Sequence, residues 1–189
     1  MRSLKESGYL SPTTIQGLTI PEVLQGKDIM ASAQTGTGKT AAFILPIIEL
    51  LRAEDKPKRY QVHSLILTPT RELAAQVEAN AKIYTKYLAI RSDAVFGGVS
   101  IRPQIKRLQG GIDILVATPG RLIDLINQKT IRFDNLKFLV LDEADRMLDM
   151  GFIRDIKKII EFLPKNRQNM MFSATFSAPI KKLALGLLN

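Results

Sequence analysis

Ala33-Gln34-Thr35-Gly36-Thr37-Gly38-Lys39-Thr40 is the stretch that decides the fold. It leaves a short apolar run, Asp28–Ala33, and opens a longer apolar segment from Ala41 to Leu51. Small residues at such a strand-to-helix turn let backbone N–H groups point inward, and the helix N-terminus adds its positive end, so the turn suits a phosphate. In that arrangement Lys39 reaches the β- and γ-phosphates, and the Thr40 hydroxyl ligates Mg²⁺. The strict P-loop pattern wants glycine at its first position, where this chain has Ala33.

Working outward, further runs read as strands: Ser64–Thr68, Ser92–Phe96, Ile112–Ala117, Phe138–Leu141 and Asn169–Ser173. Several lack in/out alternation, as parallel strands covered on both faces do. Between them lie amphipathic segments such as Glu72–Tyr87, Arg121–Asn127, Ile153–Phe162 and Ile180–Leu188. Strand–helix alternation of this kind predicts an α/β domain with a mostly parallel central sheet and helices on both faces. Pro46 interrupts a helical run and is expected to kink it. Glu54 to Gln61, with Lys56, Lys58 and Arg59, reads as a solvated connection.

A P-loop needs an acidic element from another strand to hold its metal. Phe138–Leu141 delivers Asp142-Glu143-Ala144-Asp145 at its C-terminal end, the edge where open α/β sheets bind ligands. Asp142 would orient Mg²⁺ and Glu143 would position or activate the water that attacks the γ-phosphate. Acidic residues in a first helical turn are also favoured by the macrodipole. Three of them beside a P-loop are better explained by a metal.

Composition agrees. The chain has 189 residues, room for one domain, with 27 Lys+Arg against 18 Asp+Glu, a net charge of +9. That excess suits a polyanionic partner. The absence of cysteine excludes disulfides, thiolate zinc sites and cysteine nucleophiles, and His63 is the single histidine. Just before a strand and without an acidic neighbour in sequence, His63 reads as a surface or strand-edge residue. No leader-like segment is visible, and the stretch 41–51 is too short to cross a bilayer and carries Pro46 and Glu49. A cytoplasmic monomer is the expectation.

The order of these motifs resembles the DEAD-box ATP-dependent RNA helicases. Gly8-Tyr9, Pro12-Thr13 and Ile15-Gln16 resemble the Q motif, and Pro69-Thr70-Arg71-Glu72-Leu73-Ala74 motif Ia. Gly97-Gly98 is similar to the GG motif, Thr118-Pro119-Gly120-Arg121 to motif Ib, and Ser173-Ala174-Thr175 to motif III. Asp145 through Phe152 looks most like the bacterial RhlE-type branch. The resemblance implies a single RecA-like helicase ATP-binding domain over residues 1–189, with ATP and Mg²⁺ as cofactors.

It also assigns roles. Tyr9, Gln16 and Ala33 through Thr40 would bind nucleotide, the Gln16 amide pairing with adenine N6 and N7. Ser173 and Thr175 would bond through their hydroxyls to Asp145 and couple nucleotide state to strand separation. Pro69, Thr70, Arg71, Gly97, Gly98, Thr118, Pro119, Gly120 and Arg121 would bind RNA through its backbone. N–H groups, hydroxyls and guanidinium groups suit phosphate oxygens and carry little sequence information. With no tryptophan and 6% aromatics, a base-stacking platform is not expected.

The family's second RecA-like domain, with its arginine fingers, does not occur in this chain, and the upstream aromatic that stacks on adenine falls before Met1. The chain alone is therefore expected to bind nucleotide with little hydrolysis or unwinding. A second reading, from a different class, is a nucleic-acid or protein-docking module whose nucleotide site is purely structural.

Overall fold

The computed structural model describes residues 2–32 and 36–188. The strands are β1 Ile29–Ser32, β2 Val62–Leu67, β3 Ser92–Val95, β4 Ile112–Ala117, β5 Phe138–Leu141 and β6 Gln168–Ser173. They form one sheet in the order β1-β6-β5-β2-β4-β3, with every pairing parallel. The helices are α1 Arg2–Glu6, α2 Thr14–Leu24, α3 Lys39–Leu51, α4 Arg71–Thr85, α5 Ile101–Leu108, α6 Pro119–Asn127, α7 Ala144–Asp149, α8 Ile153–Glu161 and α9 Ala178–Leu185.

The two-residue period of the strands divides the core. Leu65, Leu67, Leu115, Leu139, Leu141 and Met171 pack on one face with Leu122 and Leu125 of α6 and Ile156 and Ile159 of α8. Ile66, Ile114, Val116, Val140, Met170 and Phe172 pack on the other with Phe43, Ile44 and Ile47 of α3 and Val77 and Ala81 of α4. Both faces are covered, which is why the strand sequences are continuously apolar rather than alternating. A parallel sheet also brings all strand C-termini to one edge. The loops after β1, β2, β3, β4, β5 and β6 carry, in turn, the six motifs that follow strands.

Expected element ends agree with the observed ones to within a few residues. Helices α1, α2, α5 and α7 have no such signal in the sequence. In α2 the buried positions are Gln16, Thr19 and Val23, and in α5 they are Gln104 and Leu108, so polar residues at inward positions mask the helical period. Helix α3 continues through the buried Pro46 without a break in its assignment. Residues 54–61 do form the connection between α3 and β2. It is tied down by an ion pair between Lys137 and Glu54 and by the Lys58 N–H, which donates to Gln61 Oε1 at 2.9 Å.

His63 requires a correction. It is 1% exposed, inside β2, which the strand order places at the centre of the sheet. Its Nε2 lies 3.0 Å from Asn135 Nδ2, and its Nδ1 lies 3.8 Å from Asp113 Oδ1 on neighbouring β4. The acid is distant in sequence, so only strand pairing reveals it. Burial pushes the imidazole below its ordinary value, partly offset by Asp113. The unfolded chain then binds a proton at higher pH than the folded one. Stability from this group is present above the ordinary imidazole value and is lost as pH falls below it. Because His63 is the only histidine, a His63→Asn variant should flatten the stability curve between about pH 7 and 5. Thermal melts across that window test this, and an unchanged slope would mean that another group takes up the proton.

Candidate active site

Strand β1 leads into the phosphate-loop residues and then α3, whose first residues are Lys39 and Thr40. Of the loop, Ala33, Gln34 and Thr35 lie outside the described residues. Gly36 and Thr37 are exposed, while Gly38 and Thr40 are half-buried. Gly38 precedes α3 with φ of 85°, a left-handed conformation that side chains with a Cβ tolerate poorly.

Gly38 is also crowded by the other nucleotide-motif residue. Gln16, 3% exposed, donates from Nε2 to the Gly38 carbonyl at 3.1 Å, and its Oε1 accepts from the Thr13 N–H at 3.0 Å. Gln16 is therefore not a free amide held out to solvent but a bridge from the start of α2 to the phosphate loop. One N–H and one lone pair on it remain uncommitted to these bonds. A Cβ on Gly38 would stand 2.6 Å from Gln16 Nε2. Gly38→Ala should cost roughly 1–2 kcal/mol for the left-handed backbone alone and dislodge Gln16. It should lower the thermal midpoint by roughly 2–8 °C; a midpoint equal to that of the wild type would contradict this packing.

Tyr9 is engaged with α4. Its hydroxyl lies 2.6 Å from the Tyr84 hydroxyl, with the rings edge to face. Burial and this contact raise the Tyr84 phenol above its ordinary value.

The acidic element meets Lys39 as the sequence suggests. Lys39 Nζ donates to Glu143 Oε1 at 3.3 Å and lies 3.2 Å from Asp142 Oδ1. Lys39 and Asp142 are both buried. Burial raises the Asp142 carboxyl above the usual range, and the Lys39 ammonium opposes that shift. Both Asp142 oxygens are buried without a hydrogen-bond donor. A carboxylate with orphaned oxygens facing one ammonium fits a cation site. Among the described residues no group of three or more His, Cys, Asp and Glu could enclose a metal. Asp142 and Thr40 would be the residues to hold Mg²⁺, an ion usually bound through only one or two carboxylates.

Glu143 has φ 53° and ψ 53°, unusual for a residue with a long side chain. Its second oxygen, Oε2, accepts from Arg146 Nη1 at 3.3 Å, so a cation engages each end of the carboxylate. Arg146 was not among the residues expected in the site. Its signal was the i,i+3 spacing from Glu143.

Asp145 faces motif III. Its Oδ2 accepts from the backbone N–H of Ala174 at 3.2 Å, that of Thr175 at 3.1 Å, and the Thr175 hydroxyl at 3.3 Å. Ser173 departs from expectation: its hydroxyl donates to the Thr175 carbonyl at 2.7 Å, not to Asp145. Ser173 is the last residue of β6 and buried, so its hydroxyl closes the turn locally.

The expected RNA-binding residues gather on the same edge but are not alike. Arg71 is exposed and paired with Glu72 at 2.6 Å, and Gly120 is exposed. Gly98 has φ of 79°, and a Cβ there would come to 3.4 Å from Arg71 Nη1; Gly97 beside it is half-buried. Thr118 is half-buried at the start of α6. Thr70 caps α4 through a hydrogen bond to its hydroxyl from the Leu73 N–H at 3.2 Å. Pro69 and Pro119 are buried, so their rings shape loops rather than offer a surface. The Arg121 side chain is 9% exposed, lies 3.6 Å from Asp124, and donates from Nη2 to the Val99 carbonyl at 2.9 Å. It braces the Gly97–Val99 loop from beneath, while its Nε and Nη1 have no hydrogen-bond partner.

A phosphate loop set against the buried Asp142 and its neighbour Glu143, on the C-terminal edge of a parallel sheet, defines a P-loop α/β domain of the RecA-like type. The profile of the DEAD/DEAH box helicase family matches residues 13–183, and the chain belongs to that family. It is 49% identical over 185 residues to the ATP-dependent RNA helicase CshA of Limosilactobacillus reuteri, covering 98% of this chain and 36% of that protein. It is 44% identical over 184 residues to the DEAD-box ATP-dependent RNA helicase RhpA of Helicobacter pylori, covering 97% of this chain and 36% of the relative. A solved structure, that of a DEAD box protein from the hyperthermophile Methanococcus jannaschii, superposes with a TM-score of 0.92 at 40% identity. That match covers 100% of this chain and 50% of the other. The chain thus spans about a third of the length of these two curated relatives.

Proposed function

We propose that this chain is the ATP- and RNA-binding half of an ATP-dependent RNA helicase, completed by a second RecA-like domain. The observation that carries the reading is the cluster of buried Lys39 and Asp142 with half-buried Glu143, the Asp142 oxygens orphaned, on the edge where all the strand-following motif loops meet. A purely structural nucleotide site has no need of that set.

In this reading the Lys39 ammonium turns from the two carboxylates to the nucleotide phosphates, while Thr40 and Asp142 would hold Mg²⁺. When bound there, Mg²⁺ would supply positive charge to offset that developing on the phosphate oxygens. Glu143 orients the attacking water and accepts its proton. The uncommitted N–H and lone pair of Gln16 match adenine N7 and N6. Asp145, held by the Ala174 and Thr175 N–H groups, ties the acidic element to motif III, so a change at one is passed to the other. The exposed edge residues Arg71, Gly98 and Gly120 contact strand phosphates, and Arg121 holds their loop in place. Preference for RNA over DNA and the name helicase come from the relatives.

An arginine finger from the second domain supplies a factor of about 10³–10⁵ in such reactions, so the chain alone binds nucleotide and turns it over slowly. The Asp145–Phe152 run further favours the RhlE-type branch. No helix among the described residues is long and apolar enough to cross a membrane, and we place the protein in the cytoplasm as a monomer.

Calorimetric titration with ADP and with GDP in the presence of Mg²⁺ tests this reading. ADP should bind with clear preference. Equal affinities would remove Gln16 as the adenine reader, and binding of neither would remove the nucleotide site.

A further inference from the structure

Beyond the Gly97–Gly98 loop, the molecule carries a row of cations that the nucleotide site does not use. Helix α5 begins three residues after Gly98 and runs beside β3, an edge strand of the sheet. Its outward positions include Arg102, Lys106 and Arg107, all exposed. Arg107 is taken by Asp93 at 2.6 Å. Arg102 and Lys106 form no ion pair among the described residues. Four residues apart, they share one face of the helix about 6 Å from each other along its axis. Arg91 extends the row, donating to the Gly110 and Arg107 carbonyls at the end of α5.

The helix is held firmly relative to the loop. Gln104, 3% exposed, accepts from the Phe96 N–H at 3.1 Å and donates to the Phe96 carbonyl at 3.1 Å and the Ser100 carbonyl at 3.4 Å. Arg121 holds Val99 from the other side. The Gly97–Ser100 loop is thus pinned at both flanks, and the exposed face of α5 continues from it as a rigid surface.

We infer that the exposed face of α5 is a track for the phosphate backbone of a single RNA strand leaving the Gly97–Gly98 loop, with Arg102 and Lys106 as its contacts. The inference rests on the proposed RNA reading of that loop and extends it. Two features favour a phosphate backbone over a protein partner: the face offers two unpaired cations, with Val99 in the preceding loop as the exposed large apolar side chain near them, and it is continuous with a loop suited to phosphates. Such contacts are sequence-independent and salt-sensitive.

The test is fluorescence anisotropy of labelled oligouridylate of about 6 and about 12 nucleotides, lengths within the range of single-strand sites, over a salt series. The double variant Arg102→Gln/Lys106→Gln is compared with a control of equal charge change, Lys181→Gln/Lys182→Gln. The control residues lie on α9, which follows β6, towards the other end of the strand order from β3. All four side chains are exposed, and matched thermal midpoints verify folding. Losing two phosphate contacts should lower the salt slope by about 1.4 and weaken the longer strand roughly tenfold at low salt. The shorter strand and the control should be unaffected. Unchanged binding of the longer strand would overturn the track. So would an equal loss on both strands, or an equal loss in the control, because either would report net charge alone. If the wild type binds RNA and the double variant matches it, only the track falls. If the wild type binds neither strand, the RNA reading of the edge falls with it.

Discussion

Lys39→Ala is expected to lower ADP affinity at least about thirtyfold, because truncating one partner of a buried charge pair costs about 2–5 kcal/mol. The structure adds a consequence for the free protein. Lys39 is the cation closest to the fully buried Asp142 and also bonds to Glu143. Removing it leaves two carboxylates without that counter-charge, and breaking a buried pair commonly costs about 3–5 kcal/mol unless the group takes up a proton. Asp142 is already raised by burial, and loss of Lys39 raises it further. A carboxyl whose folded value lies above its unfolded value binds its proton more tightly in the folded state. Its destabilising effect therefore grows as pH rises from the ordinary carboxylate range through the raised value. The variant should recover stability relative to wild type as pH falls towards the ordinary carboxylate range. Titration with ADP and melts across pH are the measurements. Retained ADP affinity would sink the phosphate-loop role, and a pH-independent deficit would sink the pairing with Asp142. An uncharged loop that only packed would show neither effect.

Glu143→Gln should leave nucleotide binding within a few-fold of wild type and reduce hydrolysis by about 10²–10⁴, the usual contribution of a positioned general base. The assay belongs in a protein in which this chain is joined to a second RecA-like domain, where turnover is fast enough for the loss to be measured. The amide oxygen can still accept from Lys39, so the cluster should persist. The left-handed backbone at Glu143 supplies an independent check. A side chain there costs about 1–2 kcal/mol relative to glycine, so Glu143→Gly should relieve backbone strain while abolishing turnover. Normal turnover in Glu143→Gln would assign the base elsewhere. A Glu143→Gly protein much less stable than wild type would mean that the Lys39 and Arg146 contacts outweigh the strain.

The contrast between Gln16 and Arg146 shows where sequence reading stops. Gln16 was found because it sits among residues in family order, yet its engagement with Gly38 depends on how α2 packs against α3. Arg146 lies one helical turn from Glu143 in sequence, but an i,i+3 spacing is too common to mark a functional contact. The different fates of Arg71 and Arg121 make the same point. Both follow strands and both read as phosphate contacts. One is exposed, while the other is tucked under the Gly97–Val99 loop, a distinction set by which helix face meets the neighbouring loop.

The sequence by itself determined the alternation of strands and helices, the phosphate loop, the acidic strand end and the family. These rest on local chemistry: short apolar runs, glycines where the backbone must turn back on itself, and hydroxyls and carboxylates at strand ends. Only the tertiary structure decided that β2 lies at the centre of the sheet and buries His63 against Asp113. It also decided that Ser173 closes its own turn rather than reaching Asp145, and that α5 extends a basic surface from the glycine loop. Each of these depends on which strands are neighbours and which helix face turns inward. Those are set by the simultaneous packing of two apolar layers on one sheet, a property of the whole chain and not of any single segment of it.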